Sequence, residues 1–319
     1  VVARTAAMYR PVRPDAWAGR SLVPSTPDWT SRDSGGDAVR RLNDAGIPAA
    51  GWIVLTHNSQ LGTAFPEHAV RNCFGETYPW ALCPAQPAVR EYAATLAAEA
   101  VAGLDLSSVI LEACGQLGVV HQHQHEKTDG VWAPAVARLL SICCCDACAD
   151  GFEVREILRD EVRRLVRTGD LSLTGDRLPA ALKETLLSAR QRSTDALRAA
   201  VLDVLDTRIV LHGALDPWVT GALPGLTPAA ADDVASVVLP SWVPGQASVD
   251  AVAAARKALP VPVGSYVTAV GASPVPDIAA YVAELGKAGA TELHLYHLGL
   301  AGPARWPDLH AATASAHAC

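Results

Sequence analysis

Residues 87–115 read PAVREYAATLAAEAVAGLDLSSVILEACG, and this stretch decides the fold class. Its first part, 87–102, has helical periodicity. Pro87 stands in the first turn, where a missing N–H leaves no bond unmade, and Gly103 supplies the stop. Four residues on, SSVILEA (107–113) is a short apolar run that ends on a carboxylate. A helix handing over to a strand through so short a connection is half of a βαβ unit.

The alternation continues in both directions. Strand-like runs occur at AAGWIVLTH (49–57), TRIVLHG (207–213), ASVVLPS (235–241), VPVGSYVTA (261–269) and TELHLYHL (291–298), with VVARTAAMY (1–9) a weaker seventh. Helical periodicity covers 36–45, 133–141, 151–167, 178–205, 248–258 and 276–288. Right-handed crossovers leave two common solutions, a closed (β/α)8 barrel or an open doubly wound sheet. No G-x-G-x-x-G or G-x-x-x-x-G-K-[ST] loop follows any strand, which removes the phosphate-binding versions of the open sheet. Polar residues recur instead at the strand ends: His57 and Asn58, Glu112, His212, Ser241 and Trp242, and His297. A barrel keeps its active site on that rim. The expected fold is one α/β domain over 1–319, a TIM-type (β/α)8 barrel. It is incomplete at the N-terminus unless an element precedes Val1 or escapes the strand pattern.

Composition narrows the function classes. Half of the residues are apolar, yet no run approaches the ~18 a membrane helix needs. Residues 1–20 lack a secretory signal pattern, so a cytoplasmic, reducing setting is expected. Net charge is −7. The one Arg-rich stretch, VREILRDEVRRLVR (154–167), is interleaved with acids at helical spacing and reads as a solvated face, not a nucleic-acid surface.

Four of eight cysteines fall in SICCCDACADGF (141–152). In a reducing compartment, clustered thiols point to metal or redox chemistry before disulfides. Cys143, Cys145 and Cys148 have C-x-C-x-x-C spacing, and a tight turn lets such sulfurs converge, with Cys144 facing away. A closed structural zinc takes four ligands. The fourth is then Cys73, Cys83, Cys114 or a histidine.

ALCPAQPAVREYAATLAAEA (81–100), SVILEACG (108–115) and CCCDAC (143–148) together resemble the family-42 glycoside hydrolases, the β-galactosidase barrels. Members carry C-P-x-x-P-x-x-R-E, a strand ending in the acid/base Glu, and C-x-C-x-x-C. The resemblance spans residues 81–150. It implies a structural zinc held by Cys83, Cys143, Cys145 and Cys148, and Glu112 as the acid/base. Two features depart from the pattern: Leu111 stands where the family has Asn, and GQLGVVHQHQHEKTDGVW (115–132) is an extra loop.

Glycoside hydrolysis uses two carboxyls flanking the scissile bond. Glu112 suits the acid role, following VIL at a strand end, where apolar walls favour the protonated form. The later strand ends carry no Glu. Asp216 is the acidic candidate there, with a turn role before Pro217 as its alternative; Glu126 and Tyr266 are the other options. HQHQHEK (121–127) places His121, His123 and His125 on one face if extended. His57, Asn58, His123, His212, Tyr266 and His297 are expected to bind substrate. Trp80, Trp218 and Trp242 are the ring platforms on which sugar C–H faces stack.

The expected function is a carbohydrate-directed glycosidase with Glu112 and Asp216 as its catalytic pair and a zinc staple nearby. Two rivals stand beside it. One is a barrel that binds sugar without turnover, lacking the second carboxylate. The other is a metal-dependent hydrolase using His57 and the histidine loop.

Overall fold

The computed structural model describes residues 6–121, 130–148, 152–219, 221–271 and 275–318. In chain order its strands are β1 (Ala50–Val54), β2 (Ala69–Arg71), β3 (Thr77–Leu82), β4 (Ser108–Glu112), β5 (Ile209–His212), β6 (Ser236–Pro240), β7 (Val263–Thr268) and β8 (Ala290–Tyr296). Six form one sheet in the order β1-β4-β5-β6-β7-β8. Every neighbouring pair in it is parallel. These are the six strong strand runs of the sequence. Of the weaker run 1–9, residues 1–5 lie outside the described residues and 6–9 carry no strand.

The sheet is curled. Laid flat at ~4.8 Å per strand, its two edges would stand about 24 Å apart. Instead the rings of Trp52 on β1 and Tyr296 on β8 lie 6.0 Å apart. The strands share a right-handed twist, and helices cover the outer face, so the architecture is an incomplete (β/α)8 barrel. Among the described residues β1 has no strand on its outer side. Beside it lies a cavity of about 1140 Å³, lined by β1, Tyr9, parts of the helices Ser34–Asp44 and Pro87–Val101, and Tyr296.

Side-chain alternation sorts the strands into two faces. Val109, Leu111, Leu211, Val237, Leu239 and Val263 face outward into the main core. There they meet Leu96 of Pro87–Val101, Leu197 of Ala180–Leu202, Val252 of Gln246–Ala258 and Leu285 of Ile278–Lys287. The residues between them point into the barrel, where Val210, Val238 and Tyr266 pack with Ile110 and Tyr296. β5 is buried along its whole length, the mark of a parallel strand covered on both sides. The helix Pro87–Val101 starts on its proline, and Gly103 follows at φ 67. In Phe152–Arg167 the acids and arginines pair at i,i+3, as Arg163–Asp160 and Arg164–Glu161 do.

Several elements escaped the sequence pattern, the short helices Pro14–Trp17, Ser59–Ala64 and Ala230–Asp233 among them, and two more have a clear reason. The β2–β3 hairpin is short and carries Pro79, which argues against a strand when read alone. The closing helix Trp306–Ala318 is rich in Ala, Thr and Ser and docks on Ile278–Lys287, where the Ser315 hydroxyl donates to Ala279 O (2.7 Å). The hairpin is held against the barrel by the helix Ser59–Ala64. A Cβ on Gly62 there would lie 2.0 Å from Pro79 O. Backbone cannot yield as a side-chain end does, so Gly62→Ala is expected to cost about 2–3 kcal/mol, read as a lower midpoint in urea unfolding. An unchanged midpoint would mean that the helix and hairpin are not packed together.

Candidate functional site

The parallel strands deliver their C-terminal ends to one rim, and curling brings the inward side chains together. Glu112 ends β4. Its Oε2 accepts from Trp52 Nε1 (3.1 Å) and lies 3.5 Å from Nδ1 of His212 on β5. That second separation is an ion-pair distance without hydrogen-bond alignment, and Nδ1 has no other partner among the described residues. The Glu112 side chain is 15% exposed and that of His212 2%.

Aromatic rings wall the carboxyl. Tyr266 lies 4.8 Å from the His212 ring, and Trp52 meets His212, Tyr266 and Tyr296 at 6.0–6.2 Å. Trp242, 40% exposed on the rim, closes the row edge-on to Tyr266. Burial pushes the His212 imidazole below its ordinary value, so it is neutral at pH 7. Burial, followed by the neighbouring Glu112 and Tyr296, holds the Tyr266 phenol far above its ordinary value. Tyr266 thus keeps its hydroxyl proton at neutral pH and has a hydrogen bond to offer.

The residue after Glu112 is Ala113, with φ at 50. A non-glycine residue pays for this left-handed conformation with about 1 kcal/mol and needs neighbours to hold it there. Thr56 does so, its hydroxyl lying 2.7 Å from both Ala113 O and Gly115 O. Ala113 also belongs to the apolar cluster that contains Cys83, Cys143 and Cys145. The cysteine module therefore supports the segment that leaves Glu112.

In that module Cys83 follows β3 and Cys143, Cys145 and Cys148 follow the helix Pro134–Leu140. The Cys83 Sγ lies 3.7 Å from those of Cys143 and Cys145 and 3.3 Å from that of Cys148. All four sulfurs lie within 4.8 Å of one another. Tetrahedral thiolate ligation at ~2.3 Å spaces sulfurs about 3.8 Å apart, so the four could hold a metal ion. Cys144 turns away, with its Sγ toward Ile142 O and its N–H bonded to Arg71 O. Hydrogen bonding with Cys143 raises Cys83 and Cys148 above the ordinary thiol value and lowers Cys145. Filling the site with a cation would therefore expel protons.

The remaining expected site residues scatter. Asn58 caps Ser59–Ala64, accepting from Leu61 N (3.0 Å) and donating to Tyr92 Oη (3.2 Å). His57 bridges to Ala81 and meets the His121 ring at 4.4 Å, edge-on. Trp80 stacks on Tyr78 at 5.0 Å and donates to Gly118 O, on the hairpin side. Asp216 is exposed and accepts from Trp218 N (2.9 Å), the turn role open to it. His297 accepts from Leu300 N (3.1 Å) as the cap of a short 3-10 helix. His123, His125 and Glu126 lie outside the described residues.

Sequence reasoning missed Trp52 and His294, and it set Glu292 aside as lying at the wrong end of its strand, where β8 (Ala290–Tyr296) does place it. The signal was in the alternation: T-E-L-H-L-Y puts Glu292, His294 and Tyr296 on one face of β8, with Leu293 and Leu295 on the other. His294 Nδ1 lies 3.4 Å from His212 Nε2, and its Nε2 lies 3.6 Å from Glu292 Oε2. Glu292 is also paired with Arg208 and accepts from Ser236 Oγ (3.2 Å). Hydrogen bonding to His294 first, and to Arg208, brings Glu292 down to about 2.

A depressed carboxyl stabilises the fold above its unfolded value, ~4.3, and the gain is lost as pH falls through the folded value. Arg208 is 42% exposed, so solvent screens the pair and about 1–2 kcal/mol remains. Wild type is expected to lose that much between pH 4.3 and 2 beyond what Glu292→Gln loses. Parallel urea curves across that window would show the pair to be inert.

No protein-family model matches the sequence, and no curated protein does. Solved structures match by fold. Alpha-L-fucosidase isoenzyme 2 from Paenibacillus thiaminolyticus superposes with TM-score 0.56 at 12% identity, over 92% of this chain. The chain spans 41% of the fucosidase's own length. The catalytic domain of beta-amylase from Paenibacillus polymyxa gives 0.55 at 12% identity, over 91% of this chain and 88% of that one. The PgaB (BpsB) glycoside hydrolase domain from Bordetella bronchiseptica gives 0.52 at 15%, over 91% and 78%. These neighbours are glycoside hydrolases, and at such identities the likeness is one of fold. Among the described residues no helix is long and apolar enough to cross a membrane.

Proposed function

We propose that this protein is a glycoside hydrolase-like barrel acting on a carbohydrate, with Glu112 as general acid. The observation that carries this reading is a strand-end carboxyl, 15% exposed, inside a wall of Trp52, Tyr266, Tyr296 and Trp242. The rings offer the faces on which sugar C–H groups stack. Trp52 holds the carboxyl in place, and neutral His212 and the Tyr266 hydroxyl are polar neighbours for substrate. The three-part resemblance to family-42 hydrolases and the glycosidase folds of the structural neighbours point the same way.

Cys83, Cys143, Cys145 and Cys148 hold zinc in this reading. Four sulfurs close the coordination sphere, so the metal is structural and has no open position for water. It ties the hairpin to the segment around Ala113.

The non-catalytic reading has its own observation. The partners of Glu112 among the described residues are Trp52 and His212, with no second carboxylate; Asp216 is engaged as a turn cap. Aryl glycosides of several sugars separate the two, with turnover and tryptophan fluorescence followed together. Turnover supports the hydrolase. Saturable quenching without turnover supports a sugar-binding barrel, and neither response overturns the carbohydrate assignment.

A further inference from the structure

β1 is an edge strand, and its hydrogen bonds show which of its residues face the open side. Leu55 N donates to Glu112 O (3.0 Å) and Ser107 N to Ala49 O (2.8 Å), so Ala49, Gly51, Ile53 and Leu55 turn their peptide groups toward β4. In a parallel strand, alternate residues bond to opposite sides. The N–H and C=O groups of Ala50, Trp52 and Val54 therefore point away from β4. Among the described residues, these three donors and three acceptors have no hydrogen-bond partner.

The cavity of about 1140 Å³ lies along this edge. Val39 and Leu42 of Ser34–Asp44 and Leu96 and Ala100 of Pro87–Val101 wall it on the helix side, and Trp52 and Tyr296 on the barrel side. Trp52 remains 43% exposed there, although its ring meets three others and its indole holds Glu112.

The chemistry of the slot selects its occupant. An alkyl ligand would cover the apolar walls and leave every open-side peptide group buried without a partner, a cost that grows with each group. A second copy cannot insert its own β1, because the same helices wall that strand. An extended peptide satisfies both demands. Its donors and acceptors recur every second residue, at about 6.7 Å, which is the repeat of the edge. Its side chains would alternate between Trp52 and Tyr296 on one face and Val39, Leu42 and Leu96 on the other. A parallel-sheet strand covered on both faces is apolar on both.

We propose that the slot beside β1 is a docking site for an extended, apolar peptide segment of a partner polypeptide, which adds to the sheet as a strand. The segment matches β1 in length, five residues. Its docking would cover Trp52 and so reach the neighbourhood of Glu112, but the proposal does not rest on the carbohydrate reading.

The test is amide hydrogen exchange, followed by NMR on the 15N-labelled full chain, with acetyl-Lys-Val-Ile-Thr-Val-Val-Lys-amide as the probe. In dilute protein alone, the amides of Ala50, Trp52 and Val54 are expected to exchange fast and those of Gly51 and Ile53 slowly. Saturating peptide is expected to slow the first three by at least about tenfold. The same peptide N-methylated at every residue keeps its side chains, loses its donors and is expected to give no protection. Ala50→Pro removes one open-side N–H at the first residue of the strand, where proline is tolerated. It is expected to weaken peptide binding roughly two- to ten-fold with an unchanged urea midpoint. Four results would each overturn the proposal. The three amides could be protected in dilute protein alone, which would mean an edge already filled by this chain. Their protection could rise with protein concentration, which would mean a second copy. The N-methylated peptide could bind equally well, which would mean an apolar pocket without strand pairing. The probe could leave the three amides unprotected at millimolar concentration.

Discussion

Glu112→Gln is expected to lower kcat/KM on glycosides by about 10²–10⁴-fold, the range that a positioned general acid supplies. Glutamine keeps the shape of the side chain and can still accept from Trp52, so binding and folding should change little. What it cannot do is hand a proton to the leaving oxygen. The loss should therefore depend on the leaving group. A nitrophenolate departs with little protonation, whereas an alkoxide needs it, so alkyl glycosides should suffer far more than nitrophenyl glycosides. Steady-state kinetics on a matched pair of substrates reads this directly. Equal activity of wild type and variant on the alkyl substrate would remove Glu112 from the acid role.

Cys145→Ser is expected to have the largest effect on stability. Structural zinc contributes on the order of 10 kcal/mol where folding and binding are coupled. Losing one of four thiolates leaves three buried sulfurs around a weakened site. In a chain of this size a loss of several kcal/mol lowers Tm by roughly 10 °C. Chelation of wild type by a strong zinc ligand should reproduce the shift, while Cys144→Ser should not, because Cys144 Sγ turns toward Ile142 O. Metal content measured alongside the melts checks the assignment: about one zinc per wild-type chain, and much less in Cys145→Ser. A wild-type chain free of metal would reduce the cluster to four packed thiols.

The two effects are linked through Ala113. It follows Glu112, holds a left-handed conformation and packs in the cluster of the cysteines. Loosening the module should therefore disturb the carboxyl as well as the hairpin, and Cys145→Ser should lose activity at temperatures well below its own melting point.

Much of the fold was legible because parallel strands buried on both faces must be short apolar runs and amphipathic helices must repeat every 3.6 residues. The six strands of the sheet and seven of its helices follow those rules. The hairpin and the closing helix do not, since tertiary contacts at Pro79 and Ser315 stabilise them against a weak local pattern. The cysteine set was legible in part. C-x-C-x-x-C spacing marks a convergent turn, but Cys83 lies sixty positions upstream, and only the resemblance tied it to the others.

The site around Glu112 shows where sequence reading stops. Local pattern identified a carboxyl at a strand end and histidines at others. It could not show that β1 and β8, the two edges of the sheet, curl until Trp52 meets Tyr296. Nor could it say that His294 would stand between His212 and Glu292. The contacts of Trp52 with Tyr296 and of His212 with His294 join residues more than eighty positions apart, and they depend on twist accumulated over six strands. By itself the sequence determined which side chains face inward, because alternation along a strand is a local property. Which of those side chains touch is a property of the sheet's curvature, and only the tertiary structure decided it.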